Sequence, residues 1–585
     1  MICLISALLT ALICAPMFGG HLIYRDAVAV PRFSLSPAAF GIDGSAPRAV
    51  PQDAVLGLVS RIVDGGWLVA GLTAAAVFGA GVGFGTLARR LVPASGTAGA
   101  VAAAVVGIWN PFVAERLLQG HWSLLIGYAT LGPIVLTVLG LAEERSWRRI
   151  AMLTGLFAAA GFTPTGSILA LVVAAVTAVA ARPGVRMTLI GAVGWVLASS
   201  PWLVAAAVSN ASGSSGGAAA FALRAEPGLG SFGTALGLGG IWNADAVPTS
   251  RTTWWAAVAT ALFLLVVATG TIALLRSSAG PVPKAECGAD RRDEPRVETA
   301  PARRLPLALA LLALAAVLLV VLAATGPGRT AMDAVLADVP GAGLLRDTQK
   351  YVALAVPFAS LAAAAAVGAL RRLVPGGFAA TAVALLVAAL LPDLAWGVGG
   401  QIRPVTIPAD YQRVVDEIGD GDGSSVALWP TSTVRSLSWT DGPSLSPLPR
   451  MIDAPVVVDG TLIVDGEPLD APTGRTADIV AALNDGGDPQ RLAALGVGWV
   501  VVDEADPPPL LADSQVTGGD RLRLYRIADA EAAPSPSAAA WISAIGALAL
   551  WCTGIVCGVA AAIYRRRPDN SSNSSANPSA VDAQE

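Results

Sequence analysis

The chain has 585 residues, of which 54% are hydrophobic and 14% charged, with a mean hydropathy of +0.63. That composition excludes an ordinary soluble multidomain protein, and a net charge of −4 offers no basic face for nucleic acid. Cys3, Cys14, Cys552 and Cys557 lie in apolar runs and Cys287 in a polar loop, so no cysteine framework is present to staple an exported domain.

Many apolar runs reach the roughly 20 residues needed to cross a hydrocarbon core of about 30 Å. Taken in chain order, spans are predicted at about 1–20, 65–88, 94–111, 122–142, 149–162, 166–181, 187–208, 254–275, 305–325, 350–370, 374–393 and 538–563. Around Thr163-Pro164-Thr165-Gly166 one broken helix can replace two short ones, so ten to thirteen spans fit. The first run has no basic leader and reads as an uncleaved span. Arg and Lys in short loops stay cytoplasmic. With twelve spans the basic turns Arg89-Arg90, Arg145 to Arg149, Arg182 to Arg186, Arg371-Arg372 and Arg565 to Arg567 all fall on one side. This reading makes the protein a multi-pass component of the inner (plasma) membrane with both termini cytoplasmic.

The fold expected is a polytopic α-helical membrane protein of about twelve transmembrane helices, with a small extracytoplasmic α/β domain before the last helix. The transmembrane module covers 1–394, with an outer loop at 21–64 and a disordered cytoplasmic linker at 276–304. The extracytoplasmic domain covers 395–536, the last span 537–564 and a disordered cytoplasmic tail 565–585. Within 395–536 the runs Ser425 to Trp429, Pro455 to Val458, Trp499 to Val502 and Arg523 to Ile527 read as strands. Thr476 to Leu483 and Pro489 to Leu495 read as short helices between them.

Polar groups near a bilayer are costly and therefore point to chemistry. The first outer loop begins His21-Leu22-Ile23-Tyr24-Arg25-Asp26. A carboxylate just outside a span can take a proton from a sugar hydroxyl, and Arg25 can steady a phosphate. The plainer alternative is a solvated Arg-Asp pair marking the interface; Asp43 and Asp53 are weaker rivals in the same loop. The apolar stretch 53–66 suits an interfacial helix. The densest cluster runs from Asn110 to Trp122 and holds Glu115, Arg116, Gln119 and His121, the only histidine besides His21. A re-entrant turn capped by a Glu-Arg pair accounts for two of its charges but not for Gln119 and His121 beside them. Arg346, Asp347 and Lys350 open another apolar run. Cations there suit a lipid-linked phosphate, although snorkelling anchors at a helix end have the same composition. No nucleotide-binding loop, no metal-ligand spacing in His and Cys, and no nucleophile elbow occur.

On these features the chain resembles the GT-C superfamily of integral membrane glycosyltransferases, and its YfhO-type and arabinofuranosyltransferase-like bacterial members in particular. The resemblance rests on the span number, the first outer loop with Asp26, Asn110-Pro111-Phe112 leading to Gly120-His121, and Leu345 to Lys350. Leu495-Gly496-Val497-Gly498-Trp499-Val500-Val501-Val502 followed by Leu524-Tyr525-Arg526 adds to it. It implies transfer of a sugar from a polyprenyl-phosphate donor to a glycan or glycolipid acceptor, among membrane lipids and without nucleic acid. By position Asp26 would be the base, with Glu115 and His121 beside it, and Arg25, Arg116, Arg346, Asp347 and Lys350 would line the phosphate site. Some members carry two adjacent acids in the first loop. This chain has Arg25-Asp26 instead, so no cofactor is expected and a divalent metal stays open. Two rivals remain: a transporter or flippase of lipid-linked glycan, and a non-catalytic envelope assembly protein of the same fold. The catalytic reading requires Asp26, Glu115, His121 and Arg346 to converge on one lateral, lipid-accessible cavity.

Overall fold

The computed structural model describes residues 1–564 except 46, 48, 210–216, 279–299, 340, 465, 512–514 and 520. Of the predicted disordered linker 276–304, residues 279–299 lie outside the described residues, while 276–278 and 300–304 belong to the helices Trp255–Ser278 and Ala300–Ala324; the predicted tail 565–585 lies wholly outside the described residues.

Helices occupy all twelve predicted span positions. Among the described residues nine are long and apolar enough to cross a membrane, and a tenth counts if Gly376–Leu390 and Pro392–Gly400 form one span bent by 76°. The other two are short: Ile2–Cys14 has 13 residues and Trp147–Ala160 has 14. At about 1.5 Å per residue neither reaches across a core of about 30 Å by itself. The chain is a multi-pass membrane protein.

Local chemistry sets the helix limits. Asp64 accepts from the backbone N–H groups of Gly66 and Trp67 and so starts Gly65–Leu91. Thr163 caps Pro164–Ala181 in the same way, which settles the ambiguous region as two helices. The bend after Leu390 falls at Pro392, where the carboxylate of Asp393 accepts from Ser250 N at 2.7 Å and Ser250 Oγ at 2.6 Å. The Trp109 indole N–H donates to the carbonyls of Leu391 and Ala388 beside the bend, at 2.9 and 3.1 Å. Pro93–Gln119, Trp122–Glu143 and Thr348–Leu370 form the centre of the bundle, while Trp255–Arg276, Arg304–Ala324 and Ala538–Ile563 leave most of their apolar surface uncovered, as lipid-facing helices do. Gly155 and Gly558 bring Trp147–Ala160 and the last helix together, with no room for a side chain at either position.

The sheet near the C-terminus has the strand order Gln515–Gly518, Leu522–Arg526, Val497–Asp503, Ser425–Trp429, Val456–Val457. The last three strands run parallel, and Leu522–Arg526 is antiparallel to both of its neighbours. Side chains alternate between its faces, as the period of two requires. Val500 and Val502 pack with Ile479, Leu483 and Leu492, whereas Trp499 and Val501 join Tyr411 and Val414 and through them the core of the membrane module.

The first loop is joined to this later region. His21 and Val405 exchange backbone hydrogen bonds at 2.9 and 2.8 Å; Arg25 N donates to Pro443 O at 2.8 Å and Arg25 O accepts from Leu445 N at 3.0 Å. Asp53, one of the rival acids, pairs with Arg450 at 2.9 Å. The other rival, Asp43, accepts from Ser45 Oγ at 2.8 Å. Within the predicted interfacial stretch Gln52–Val59 is helical, and Leu58, Ile62 and Val63 remain exposed.

Candidate functional site

Ile23–Tyr24 and Ala27–Val28 pair antiparallel, Tyr24 opposite Ala27, so Arg25 and Asp26 are the two turn residues of a tight hairpin. Such turns need a positive φ, and Arg25 takes it at +43°, a conformation normally left to glycine. Its side chain holds the strained turn down: Nη1 donates to Leu118 O at 2.8 Å and Nη2 to Asp245 O. Asp26 is thereby presented at the tip.

Asn110 caps the helix Pro111–Gln119 by accepting from Val113 N at 3.0 Å, and Pro111 supplies the fixed φ of a first helical position. Gly120 ends that helix at φ +85°, and a side chain there would collide with the backbone of Ala27. The helix thus delivers Glu115, Arg116 and Gln119 to the hairpin, and the turn at Gly120 delivers His121.

Gln119 Nε2 and His121 Nε2 both meet Asp26 Oδ2, at 3.0 and 2.8 Å. The Asp26 side chain is 41% exposed and that of His121 18%. Arg116 is fully enclosed. Its Nη1 lies 3.0 Å from His121 Nδ1 and 3.0 Å from Asp347 Oδ2, and Nη2 donates to Gln349 Oε1. Lys350 Nζ stands 3.5 Å from Asp347 Oδ2 and keeps some solvent access.

Glu115 is also fully buried. Oε1 accepts from Gly240 N at 2.9 Å, and Oε2 from Ile241 N and Gln349 Nε2, each at 3.1 Å. Its place is that of a clamp holding the chain at 239–241 against the helix Pro111–Gln119. Nearby, Glu226 and Arg251 form a second buried pair, with Arg251 Nε 3.0 Å from Glu226 Oε1. Arg346 lies apart from Asp26, bonded to Asp470 at 2.9 and 3.0 Å and stacked over the Phe221 ring at 4.2 Å. The structure therefore gathers Asp26, His121, Arg116, Glu115, Asp347 and Lys350 into one network and leaves Arg346 outside it, so the convergence expected of Asp26, Glu115, His121 and Arg346 is met by the first three and not by Arg346, whose guanidinium is engaged by Asp470 and Phe221. Gln349, which lies within the marked stretch Leu345 to Lys350 but was not itself a predicted site residue, and Asn243, which bonds Gln119 Oε1 at 2.8 Å, also belong to the network.

Burial acts to raise the Asp26 carboxyl, but the hydrogen bond and charge of His121, with Gln119 and Lys350, outweigh it and hold the group below the usual carboxylate value. Burial lowers His121, Lys350 and Arg116 add to that, and Asp26 only partly opposes it. Asp347 is held low as well: burial works against this, and Arg116, Lys350 and His121 overcome it. The result is an ionised carboxylate beside a neutral imidazole. Among the described residues no group of three His, Cys, Asp or Glu side chains is placed to hold a metal ion.

Helical bundle, stitched first loop and late sheet domain together define a polytopic α-helical membrane protein with a small sheet-containing domain before its last helix. A solved structure of similar fold is the cryo-EM structure of the arabinofuranosyltransferase AftD from mycobacteria, 16% identical, with a TM-score of 0.53 over 90% of this chain and 41% of that one. The chain thus spans less than half the length of that protein, and at this identity the likeness is one of fold. No protein-family model matches the chain, and no curated protein matches it.

Proposed function

We propose that the protein is a membrane glycosyltransferase that moves a sugar from a polyprenyl-phosphate donor to a cell-envelope glycan or glycolipid on the extracytoplasmic face. The observation that carries this reading is Asp26: an ionised carboxylate at a hairpin tip, open to solvent on one side and hydrogen-bonded on the other. Its setting in a GT-C-like fold supports the choice of reaction. In the step envisaged, an acceptor hydroxyl gives its proton to Asp26 as its oxygen bonds to the anomeric carbon. The bond from that carbon to the phosphate oxygen breaks, and the electron pair leaves with the polyprenyl phosphate. Lys350 is the cation of the network with solvent access, and its charge acts on Asp26, so it suits the leaving phosphate. Arg116 and Arg25 direct their Nη1 and Nη2 donors inward to protein acceptors.

The test uses the full chain in membranes with synthetic polyprenyl-phosphoryl sugars, arabinofuranose among them, and an envelope glycan acceptor. Asp26→Asn should lower transfer by about 10²–10⁴-fold, the usual contribution of a general base, with membrane insertion intact. Wild-type transfer by that variant removes Asp26 as base, whereas no transfer by the unmutated chain leaves the assembly-protein reading. Lipid-linked sugar profiles of a deletion strain should show an accumulated donor or a truncated glycan, which would name the sugar.

A further inference from the structure

We infer that Arg116, braced by Asp347 and Gln349, fixes the proton of His121 on Nε2, and that this imidazole aims Asp26 so that Oδ1 is the oxygen that receives the acceptor proton. The inference rests on Asp26 being the base and adds what sets its orientation.

The argument begins with donor and acceptor types. A guanidinium has N–H donors and no acceptor. Arg116 Nη1 lies 3.0 Å from His121 Nδ1, so Nδ1 must accept. The other hydrogen of Nη1 is directed to Asp347 Oδ2 at 3.0 Å, and Nη2 is engaged by Gln349. The guanidinium is fully enclosed and cannot swing away. With Nδ1 committed as an acceptor, the imidazole carries its proton on Nε2, 2.8 Å from Asp26 Oδ2. A protonated ring would set an N–H of His121 against an N–H of Arg116, with Lys350 adding a third positive charge nearby. Of the nearby acids, Asp26 faces Nε2 at the far end of the ring, while Asp347 stands on the Arg116 side, bonded to the same Nη1.

The same reasoning separates the two oxygens of Asp26. Oδ2 takes both His121 and Gln119, and Gln119 is itself oriented by Asn243, which donates to its Oε1 at 2.8 Å. Oδ1 has no hydrogen-bond partner among the described residues, and the side chain is 41% exposed. One oxygen is therefore spent on orientation, and the other is free to meet a hydroxyl. In this arrangement His121 and Arg116 are positioning residues and Asp26 is the catalytic one.

The chain has two histidines, so its histidine spectrum is simple. The full-length protein, labelled with ¹⁵N only at histidine and reconstituted in lipid bilayers, is examined by solid-state NMR, with His121→Gln used to assign the signals. At pH 7 the His121 ring should show one protonated nitrogen, Nε2, and an unprotonated Nδ1. A proton on Nδ1, or on both nitrogens, overturns the inference. Transfer kinetics give the second readout. Glutamine can place an amide nitrogen where Nε2 stood, whereas asparagine cannot reach that far. His121→Gln should stay within about tenfold of wild-type kcat, while His121→Asn should lose about a hundredfold in kcat with KM little changed, as for a group that acts only on the reacting carboxylate. Equal losses in both variants, or wild-type kcat in both, overturn the orienting role. If Asp26→Asn transfers normally while the NMR result is as expected, the base assignment fails and the tautomer lock stands.

Discussion

Arg346 and Asp470 meet fork to fork at 2.9 and 3.0 Å, although 124 residues separate them in the chain. The pair ties the segment before Thr348–Leu370 to the late sheet region, and Phe221 stacks on the guanidinium from a third segment. Both side chains are partly exposed, which limits the energy of the pair. Arg346→Lys keeps the charge but loses the planar fork and the stacking. It should cost about 1 kcal/mol, the scale of a charge-assisted hydrogen bond discounted for exposure, and make the tie more susceptible to proteolysis. Thermal unfolding in detergent and limited proteolysis measure both; an unchanged cleavage pattern would show that the tie is not structural.

The strained turn at Arg25 separates two contributions. Arg25→Ala keeps the positive φ penalty and removes the anchors on Leu118 and Asp245. Arg25→Gly also removes the anchors but relieves the strain. The glycine variant should be the more stable of the two by about 1 kcal/mol, the usual penalty for a left-handed residue with a side chain. Unfolding midpoints compare them directly, and a more stable alanine variant would mean that the turn is not held as described.

Glu226 and Arg251 are both almost completely enclosed. Removing one partner leaves the other charge buried and uncompensated, so Glu226→Ala should cost about 3–5 kcal/mol and sharply reduce the yield of folded protein. Replacing both residues with apolar ones of similar volume should restore much of that loss. A single variant with wild-type yield and melting temperature would contradict the burial of the pair.

Stability should also respond to mild acid through His121. Its folded-state value lies below that of an unfolded histidine, about 6.5. Below that pH the unfolded chain binds a proton that the folded site resists, so the stability contribution is complete above about 6.5 and is lost as pH falls toward the lower folded value. Asp26 is lowered from the carboxylate range, so its own contribution disappears only at far lower pH. Melting temperatures between pH 7.5 and 5.5 should fall more steeply for wild type than for His121→Gln. Parallel curves would assign the acid sensitivity to another group.

How much of this was legible follows from what stands out in an apolar chain. Asp26, Arg116, His121 and Asp347 were found because charge beside a bilayer is scarce and costly. The sheet was legible for a related reason: its strands are short β-branched runs such as Val500-Val501-Val502, set among polar residues. Gln119 was noticed only for its charged neighbours; Gln349 stood in a marked stretch without a role, and Asn243 stood alone, because an amide carries no charge and its importance depends on which groups the fold brings to it. Glu226 and Arg251 lie in the Gly-, Ser- and Ala-rich stretch 209–253, from which no site residue was predicted. Four charges, Arg224, Glu226, Asp245 and Arg251, in so neutral a segment were the available signal. Hydropathy measures apolar length but not the cap at Thr163 or the bend at Pro392, so it located the helices at these places without fixing which of them cross.

The backbone exchange between the first loop and residues 405–445 has a consequence for how the protein is made. The hairpin bearing Asp26 leaves the ribosome early, but the strand partners that complete it, Pro443 to Leu445, follow about 420 residues later, a delay of roughly 20–80 s at ordinary rates of synthesis. Through that interval the nascent chain holds an unfinished hairpin. The surroundings of the Asp26 carboxylate are completed only after nearly all the spans have been synthesised, which ties the onset of any activity that depends on it to the last stages of biogenesis.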